Sequence, residues 1–158
     1  MSNKSRKHHE GIFGAISAGF FLLLVGVLFV TTPNLFGAIV DFFQDFSIVH
    51  VPNTDVMFIG PDVPRLHLTV YEASLQFSIA MTAFQVVILA LRFFIPSTWS
   101  KRSETFGNLV YWAIAAFLIQ TYLVESTQWF VFWSAILIGV GVSLIARAIF
   151  SGISQIGR

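Results

Sequence analysis

The chain contains no cysteine among its 158 residues. This absence excludes disulfide bonds, iron–sulfur clusters, thiolate zinc sites and a cysteine nucleophile. Charged residues are also scarce, at 11% of the chain, where soluble domains carry about 25%. With 56% hydrophobic residues and a mean hydropathy of +0.78, the chain lacks the polar surface of a soluble globule. The composition predicts an integral membrane protein, with one domain over residues 1–158.

Sequence motifs typical of catalytic or metal-binding sites are scarce as well. His8 and His9 are adjacent in a basic tail, no histidines have metal-ligand spacing, and no nucleophile elbow or Ser–Lys pair occurs. The basic residues flank apolar runs instead of forming a stripe on a soluble face, so no nucleic-acid partner is indicated. We expect no catalytic residue, metal or cofactor. The weakest alternative is a membrane enzyme that uses His50, His67 and Glu72.

Four long apolar runs are present, and each can cross about 30 Å of hydrocarbon as a helix. The first run is longer than the roughly 7–15 apolar residues of a signal peptide, so we expect it to be retained. The four-residue link "ESTQ" predicts that the last two runs form an antiparallel hairpin. The predicted spans are about 11–31, 67–94, 104–124 and 128–150.

The loop over residues 33–66 begins with an amphipathic pattern. Thr32 suits an N-cap and Pro33 the first helical position. The apolar side chains that recur at helical spacing are Leu35, Phe36, Ile39, Phe42, Phe43 and Phe46. This favours a helix in the membrane interface, although the pattern leaves open whether residues 33–49 lie flat or extend the first span. The stretch "DVMFI" fits a short extended piece. The predicted fold is all-α: a four-helix transmembrane bundle with an additional interfacial amphipathic helix between the first and second spans.

Basic residues are distributed asymmetrically. If both termini are cytoplasmic, every Lys and Arg except Arg65 falls on the inner side, whereas most Asp and Glu residues fall outside. The positive-inside rule therefore predicts a protein of the cell (cytoplasmic) membrane with both termini in the cytoplasm. Arg92 and Arg147 lie near the inner ends of their spans, where they are expected to anchor the helices at the headgroups.

The second span carries polar residues at membrane depth. Ser78, Thr82 and Gln85 share a helix face with Ser74 and Arg92, and Gln120 is a similar residue of the third span. One interpretation is hydrogen bonding between helices, and the other is a polar lane for an ion or small solute. We favour the first because polar residues are common at helix contacts and because no carboxylate or histidine lies near a span centre.

Small residues repeat every four positions in two spans. Gly11, Ala15 and Gly19 do so in the first span, and Gly139 and Ser143 in the fourth. Such stripes let helix backbones approach closely. The sequence leaves equally open whether they pack within one chain or between chains.

These observations favour a structural or accessory membrane subunit, not an enzyme, that packs in a homo- or hetero-oligomer. Its expected partners are the lipid bilayer and either itself or another membrane protein. The alternative is a passive pore or small-solute carrier lined by polar residues of the second and third spans. The residues assigned to helix contacts or to a pore are Gly11, Ala15, Gly19, Ser78, Thr82, Gln85, Gln120, Gly139 and Ser143.

Overall fold

The computed structural model describes residues 3–95 and 97–156, and it describes side chains over residues 11–95 and 97–152. Most of the described chain is helical. The elements in chain order are α1 (Asn3–Thr31), α2 (Leu35–Gln44), β1 (Phe46–His50), β2 (Met57–Pro61), a 3-10 turn (Pro64–His67), α3 (Leu68–Phe94), α4 (Trp99–Leu118), a π-helical segment (Ile119–Glu125) and α5 (Trp129–Ile156).

Four stretches of helix in the described part of the chain are long and apolar enough to cross a membrane, which confirms the prediction of a multi-pass membrane protein. They are Gly11–Thr31, Pro64–Phe94, Trp99–Glu125 and Trp129–Gly152. The third begins before the predicted start at residue 104. Hydropathy excludes Lys101 and Arg102 from hydrocarbon, but backbone hydrogen bonding continues through this polar first turn.

The long helices pack as antiparallel neighbours. Between α4 and α5, Gly107 lies against Arg147 and Ile114 lies against Gly139, so rising residue numbers on one helix meet falling numbers on the other. Between α1 and α3, the rings of Phe20 and Phe84 stack with centroids 4.0 Å apart. α3 also packs on α4, so it lies between α1 and the α4–α5 pair.

The loop between α1 and α3 departs from the predicted helix. α2 ends at Gln44, and residues Phe46–His50 form β1, which pairs antiparallel with β2 and places Ile48 opposite Ile59. The chain is therefore mostly helical, not all-α. The predicted extended piece "DVMFI" overlaps β2, whereas β1 was assigned to the amphipathic helix. Helical periodicity in that region continued through Phe46 and masked the start of the strand.

The start of α2 also differs from the prediction. The helix begins at Leu35, and its N-cap is Asn34 in the left-handed region at φ 51°, not Thr32. A Cβ on Gly37 would come within 2.6 Å of the Asn34 Oδ1 atom, so the absence of a side chain at Gly37 makes room for this cap. The first residues after α1 thus form a tight turn instead of a further helical turn.

The two ends of the long helices differ in character. The hairpin end carries α2, the β-hairpin and the π-helical segment. The basic end carries the start of α1 and the side chains of Arg92, Lys101, Arg102 and Arg147. The larger buried cluster lies towards the hairpin end and includes Tyr71, Leu118, Leu123, Trp129 and Phe132. A second cluster joins α1, α2 and α3 through Leu24, Leu28, Leu35 and Ala73.

Candidate functional site

The hydroxyl groups of α3 are satisfied within their own helix. Ser74, Ser78 and Thr82 each donate a hydrogen bond of 2.8 Å to the carbonyl oxygen four residues earlier. Ser78 is 2% exposed, and this bond within α3 satisfies its buried hydroxyl. The structure therefore does not show the bonds between helices that the sequence interpretation assigned to these hydroxyls. Their role at helix contacts stays a prediction about packing alone.

An apolar cavity of about 420 Å³ lies beside Ser74 and Ser78. α1, α3 and α4 form its sides, α5 contributes Phe132 and Trp133, and α2 contributes Leu35 at the hairpin end. Because both serine hydroxyls are bonded to their own helix, the wall that they form offers little to a polar solute. The cavity is suited to hydrocarbon.

A second pocket, of about 530 Å³, lies nearer the basic end between the same three helices. It is lined by Ser17, Gln85, Arg92, Lys101 and Asn108, with apolar side chains between them. Lys101 pairs with Glu104, another lining residue, at 2.8 Å. Gln85 therefore belongs to a polar pocket, whereas Ser78 belongs to the apolar cavity.

Gln120 lies away from these α3 residues. It is in the π-helical segment, where its amide donates to Glu125 at 2.9 Å at an exposed site. The sequence analysis placed it at membrane depth in the third span because the irregular end of that helix was not recognised. The structure thus separates Ser78, Gln85 and Gln120, the three residues that a pore would need together.

No protein-family model, curated protein or solved structure matches this chain. The geometry of the chain itself therefore carries the functional conclusions.

The small-residue stripe of α5, Gly139 and Ser143, packs within the chain. A Cβ on Gly139 would meet the Ile114 Cγ2 atom at 2.7 Å, so the glycine allows α5 to approach α4 closely. Ser143, one turn further on, is buried and donates to the Val140 carbonyl at 2.8 Å.

The stripe of α1 makes no close contact with the rest of the described chain, although Gly11 also lines the edge of the polar pocket. Gly11, Ala15 and Gly19 are exposed, and a Cβ on either glycine would meet no atom within 4 Å among the described residues. The buried residues of α1 include Phe13 and Leu24, which lie on the opposite side at roughly 100° per residue. We call Gly11, Ala15 and Gly19 the small face of α1.

The two arginines predicted as boundary anchors have different surroundings. Arg92 is 8% exposed, donates to Ser97 Oγ at 3.1 Å and lies over the Phe13 ring at 4.9 Å. Its guanidinium is held inside the protein, where Arg92 lines the polar pocket. Arg147 is exposed, and its aliphatic stem packs on Gly107.

At the hairpin end, Asp45 joins three segments. Its carboxylate accepts a hydrogen bond from His67 Nε2 at 2.8 Å and another from the Val63 backbone N–H at 3.0 Å. The bond from His67, assisted by the one from Val63, holds the pKa of Asp45 below its ordinary value of 3.8. The Asp45 backbone carbonyl also accepts from the Asp62 N–H. The end of α2, the hairpin and the start of α3 are thereby tied together.

Aromatic rings surround this carboxylate–histidine pair. Phe42 makes edge contacts with His67, Tyr71 and Trp129, and Phe46 makes one with Trp129. Among the described residues, the buried Tyr71 hydroxyl and Trp129 Nε1 have no hydrogen-bond partner. The sequence analysis missed this cluster because its members come from five separate elements, namely α2, β1, the 3-10 turn, α3 and α5. The available signal was an acidic residue and a histidine at opposite ends of one loop.

The alternative of a metal-dependent enzyme receives no support from this arrangement. His67 pairs with Asp45, and His50 lies exposed on β1 opposite Met57. Within the part of the chain that the structure describes, no three His, Asp or Glu side chains gather as a metal site.

Proposed function

We infer that this chain is a structural or accessory subunit of the cell membrane, and that it associates through the small face of α1 with a second copy or with another membrane protein. The observation that carries this proposal is the difference between the two stripes. The space beside Gly139 is filled by the Ile114 side chain of the same chain, whereas no described atom lies within 4 Å of a Cβ placed on Gly11 or Gly19. In a bilayer, close backbone approach at small residues is a principal source of helix association.

The proposal includes a bundle of the four long helices, with α2 in the membrane interface and both termini on the cytoplasmic side. The exposed apolar residues of α2 support its place at the interface, because Phe36 and Phe43 are 70% and 67% exposed. Asp41 and Gln44 on the same short helix are exposed as well. A helix that presents rings and polar groups outward suits a boundary between lipid and water.

Disulfide formation between copies tests the small face directly. Since the native chain has no cysteine, Ala15→Cys supplies a single thiol on this face, and Ser17→Cys supplies one on the side that lines the polar pocket. In lipid nanodiscs, mild oxidation is expected to cross-link Ala15→Cys but not Ser17→Cys, because a disulfide requires Cα atoms about 4.4–6.8 Å apart.

Native mass spectrometry after gentle extraction supplies the second readout. Gly19→Leu is expected to reduce the oligomer strongly, whereas Gly141→Leu, at another glycine with open space around it, is expected to leave the oligomer unchanged. A strictly monomeric wild-type chain with no co-purifying membrane protein would overturn the proposal. Solute flux into liposomes that disappears with Gln85→Leu would favour a pore in its place.

A further inference from the structure

We propose that a phospholipid occupies the cleft between α1, α3 and α4, with an acyl chain in the apolar cavity and its headgroup in the polar pocket. The cavity is distinct from the small face of α1, because its lining residues Val25, Leu28 and Phe29 lie further along the helix than Gly19. The polar pocket shares only Gly11 with that face.

The cavity itself indicates a hydrocarbon occupant. Its volume of about 420 Å³ falls within the range of ligand pockets, and it is open on one side, where Phe29 and Trp133 are partly exposed. The wall is mainly aliphatic and aromatic, as at Val25, Phe77 and Ile136. Ser78 adds no donor, because its hydroxyl is bonded to the Ser74 carbonyl at 2.8 Å. Water or an ion would find too few polar partners there.

The depth of the cavity fits the same occupant. Val25 lies within the apolar stretch Gly11–Thr31, and Ser78 lies near the middle of Pro64–Phe94. At this depth, membrane-spanning helices are surrounded by the acyl chains of lipids. An acyl chain is therefore the hydrocarbon that is available to enter the cavity.

The polar pocket indicates which part of the lipid lies at its other end. Gln85 is eight residues beyond Phe77 on α3, so the pocket is about 12 Å further along the helix. The cavity continues from Phe77 to Val70, towards the hairpin end, so its centre is about 20 Å from that of the pocket. A lipid whose headgroup lies in the pocket therefore reaches the near end of the cavity with the tip of an acyl chain, after passing the stacked rings of Phe20 and Phe84.

The chemistry of the pocket suits a phosphodiester. The Gln85 and Asn108 amides line the pocket, and Lys101 and Arg92 place positive charge beside them. Lys101 is already bonded to Glu104, so it contributes its field and its remaining donors. Phosphate oxygens accept hydrogen bonds from all of these groups. A phospholipid of that leaflet combines such a headgroup with the chain that the cavity requires.

Cavity filling is the test. The protein is reconstituted in vesicles of phosphatidylcholine and phosphatidylglycerol, extracted mildly, and analysed by native mass spectrometry for retained lipid. Val25→Phe fills the cavity from α1, and Val27→Phe is the matched control because Val27 is exposed on the same helix. Wild type and Val27→Phe are expected to retain one phospholipid per chain. Val25→Phe is expected to weaken retention at least about tenfold, as when two methylene groups are denied burial.

Further variants and competitors identify the ligand, and an unfolding measurement distinguishes loss of lipid binding from misfolding. Ser74→Phe fills the cavity from α3 and should reproduce the loss, and thermal unfolding checks that each variant is folded. Asn108→Leu should weaken retention of phospholipid without affecting a neutral diacylglycerol. Glycerol phosphate alone should not compete. Equal lipid retention in Val25→Phe and Val27→Phe, or displacement of the lipid by glycerol phosphate alone, would overturn the proposal.

Discussion

Asp45 shows how much of the hairpin end depends on one side chain. Its carboxylate bonds to His67 and to the Val63 N–H, and its carbonyl bonds to the Asp62 N–H. Asp62 in turn accepts a hydrogen bond from the Ser47 hydroxyl. The hairpin is therefore fixed to the first turn of α3 by polar contacts, and aromatic packing behind the pair excludes water from one side of it.

The stability of the fold should depend on pH through Asp45. Because the folded state lowers the pKa of this carboxyl, the ionised form adds stability above its ordinary value of 3.8, and this contribution is lost as the pH falls through the folded pKa. We expect the melting temperature of wild type to fall more steeply between pH 5 and pH 3, about one unit to either side of that value, than that of Asp45→Asn. Thermal unfolding in nanodiscs measures the difference.

Asp55→Asn is the control for this prediction, since Asp55 lies exposed in the hairpin turn. The melting temperature of Asp55→Asn should fall between pH 5 and pH 3 as steeply as that of wild type. Parallel curves for wild type and Asp45→Asn would show that the carboxylate–histidine pair contributes nothing to the pH response.

The polar residues of α3 show what sequence can and cannot predict about a side chain. The pattern identified Ser74, Ser78 and Thr82 as polar groups on one face. It did not predict that each hydroxyl donates to its own helix, because the carbonyl four residues earlier is available to any helical serine or threonine. The choice between that carbonyl and a neighbouring helix depends on how the helices are arranged, and one span alone does not contain that information.

Among the helices, α4 and α5 approach each other closely at Gly139. A Cβ on Gly139 would be 2.7 Å from Ile114 Cγ2, and a β-branched side chain has little freedom to move away. Gly139→Ala is therefore expected to destabilise the fold by about 1–3 kcal/mol, as overpacking of a core does. Chemical unfolding in bicelles measures the change.

Gly141→Ala is the matched control, because a Cβ there meets nothing within 4 Å. It should leave stability unchanged or raise it slightly, by less than about 1 kcal/mol. Adding Ile114→Ala to Gly139→Ala should restore part of the lost stability. If both alanine variants behaved alike, the close approach of the two helices would be wrong.

Hydropathy predicted the four long helices because each is long enough and apolar enough to be recognised from its own residues. The periodicity of apolar residues failed for β1, Phe46–His50, although the predicted extended piece overlaps β2. The strand β1 is defined by its pairing with β2, for example Ser47 with Gly60, and no local period records a partner ten or more residues away. The start of α2 was misplaced because Asn34 holds the N-cap position in a left-handed conformation, without a side-chain cap hydrogen bond that a sequence pattern could indicate.

At the scale of the whole molecule, charge is separated along the helix axes. The basic end carries Arg92, Lys101, Arg102 and Arg147, and the hairpin end carries Asp41, Asp45, Asp55 and Asp62. This separation is the physical basis for predicting a cytoplasmic basic end.

Thiol labelling tests that orientation. Because the native chain has no cysteine, Asn53→Cys in the hairpin turn and Ser100→Cys at the start of α4 each provide one reporter. In intact cells, a membrane-impermeant maleimide is expected to label Asn53→Cys at once and Ser100→Cys only after permeabilisation. Labelling of Ser100→Cys in intact cells would show that the basic end faces outward and that the predicted topology is wrong.

The spacing of two charged residues on α3 has a further consequence. Glu72 and Arg92 are twenty residues apart, about 30 Å along the helix, which equals the thickness of an average hydrocarbon core. An upright α3 therefore leaves no surplus apolar length, and hydrophobic mismatch in a thicker membrane would be relieved by local thinning of the lipid and not by inclination of the helix.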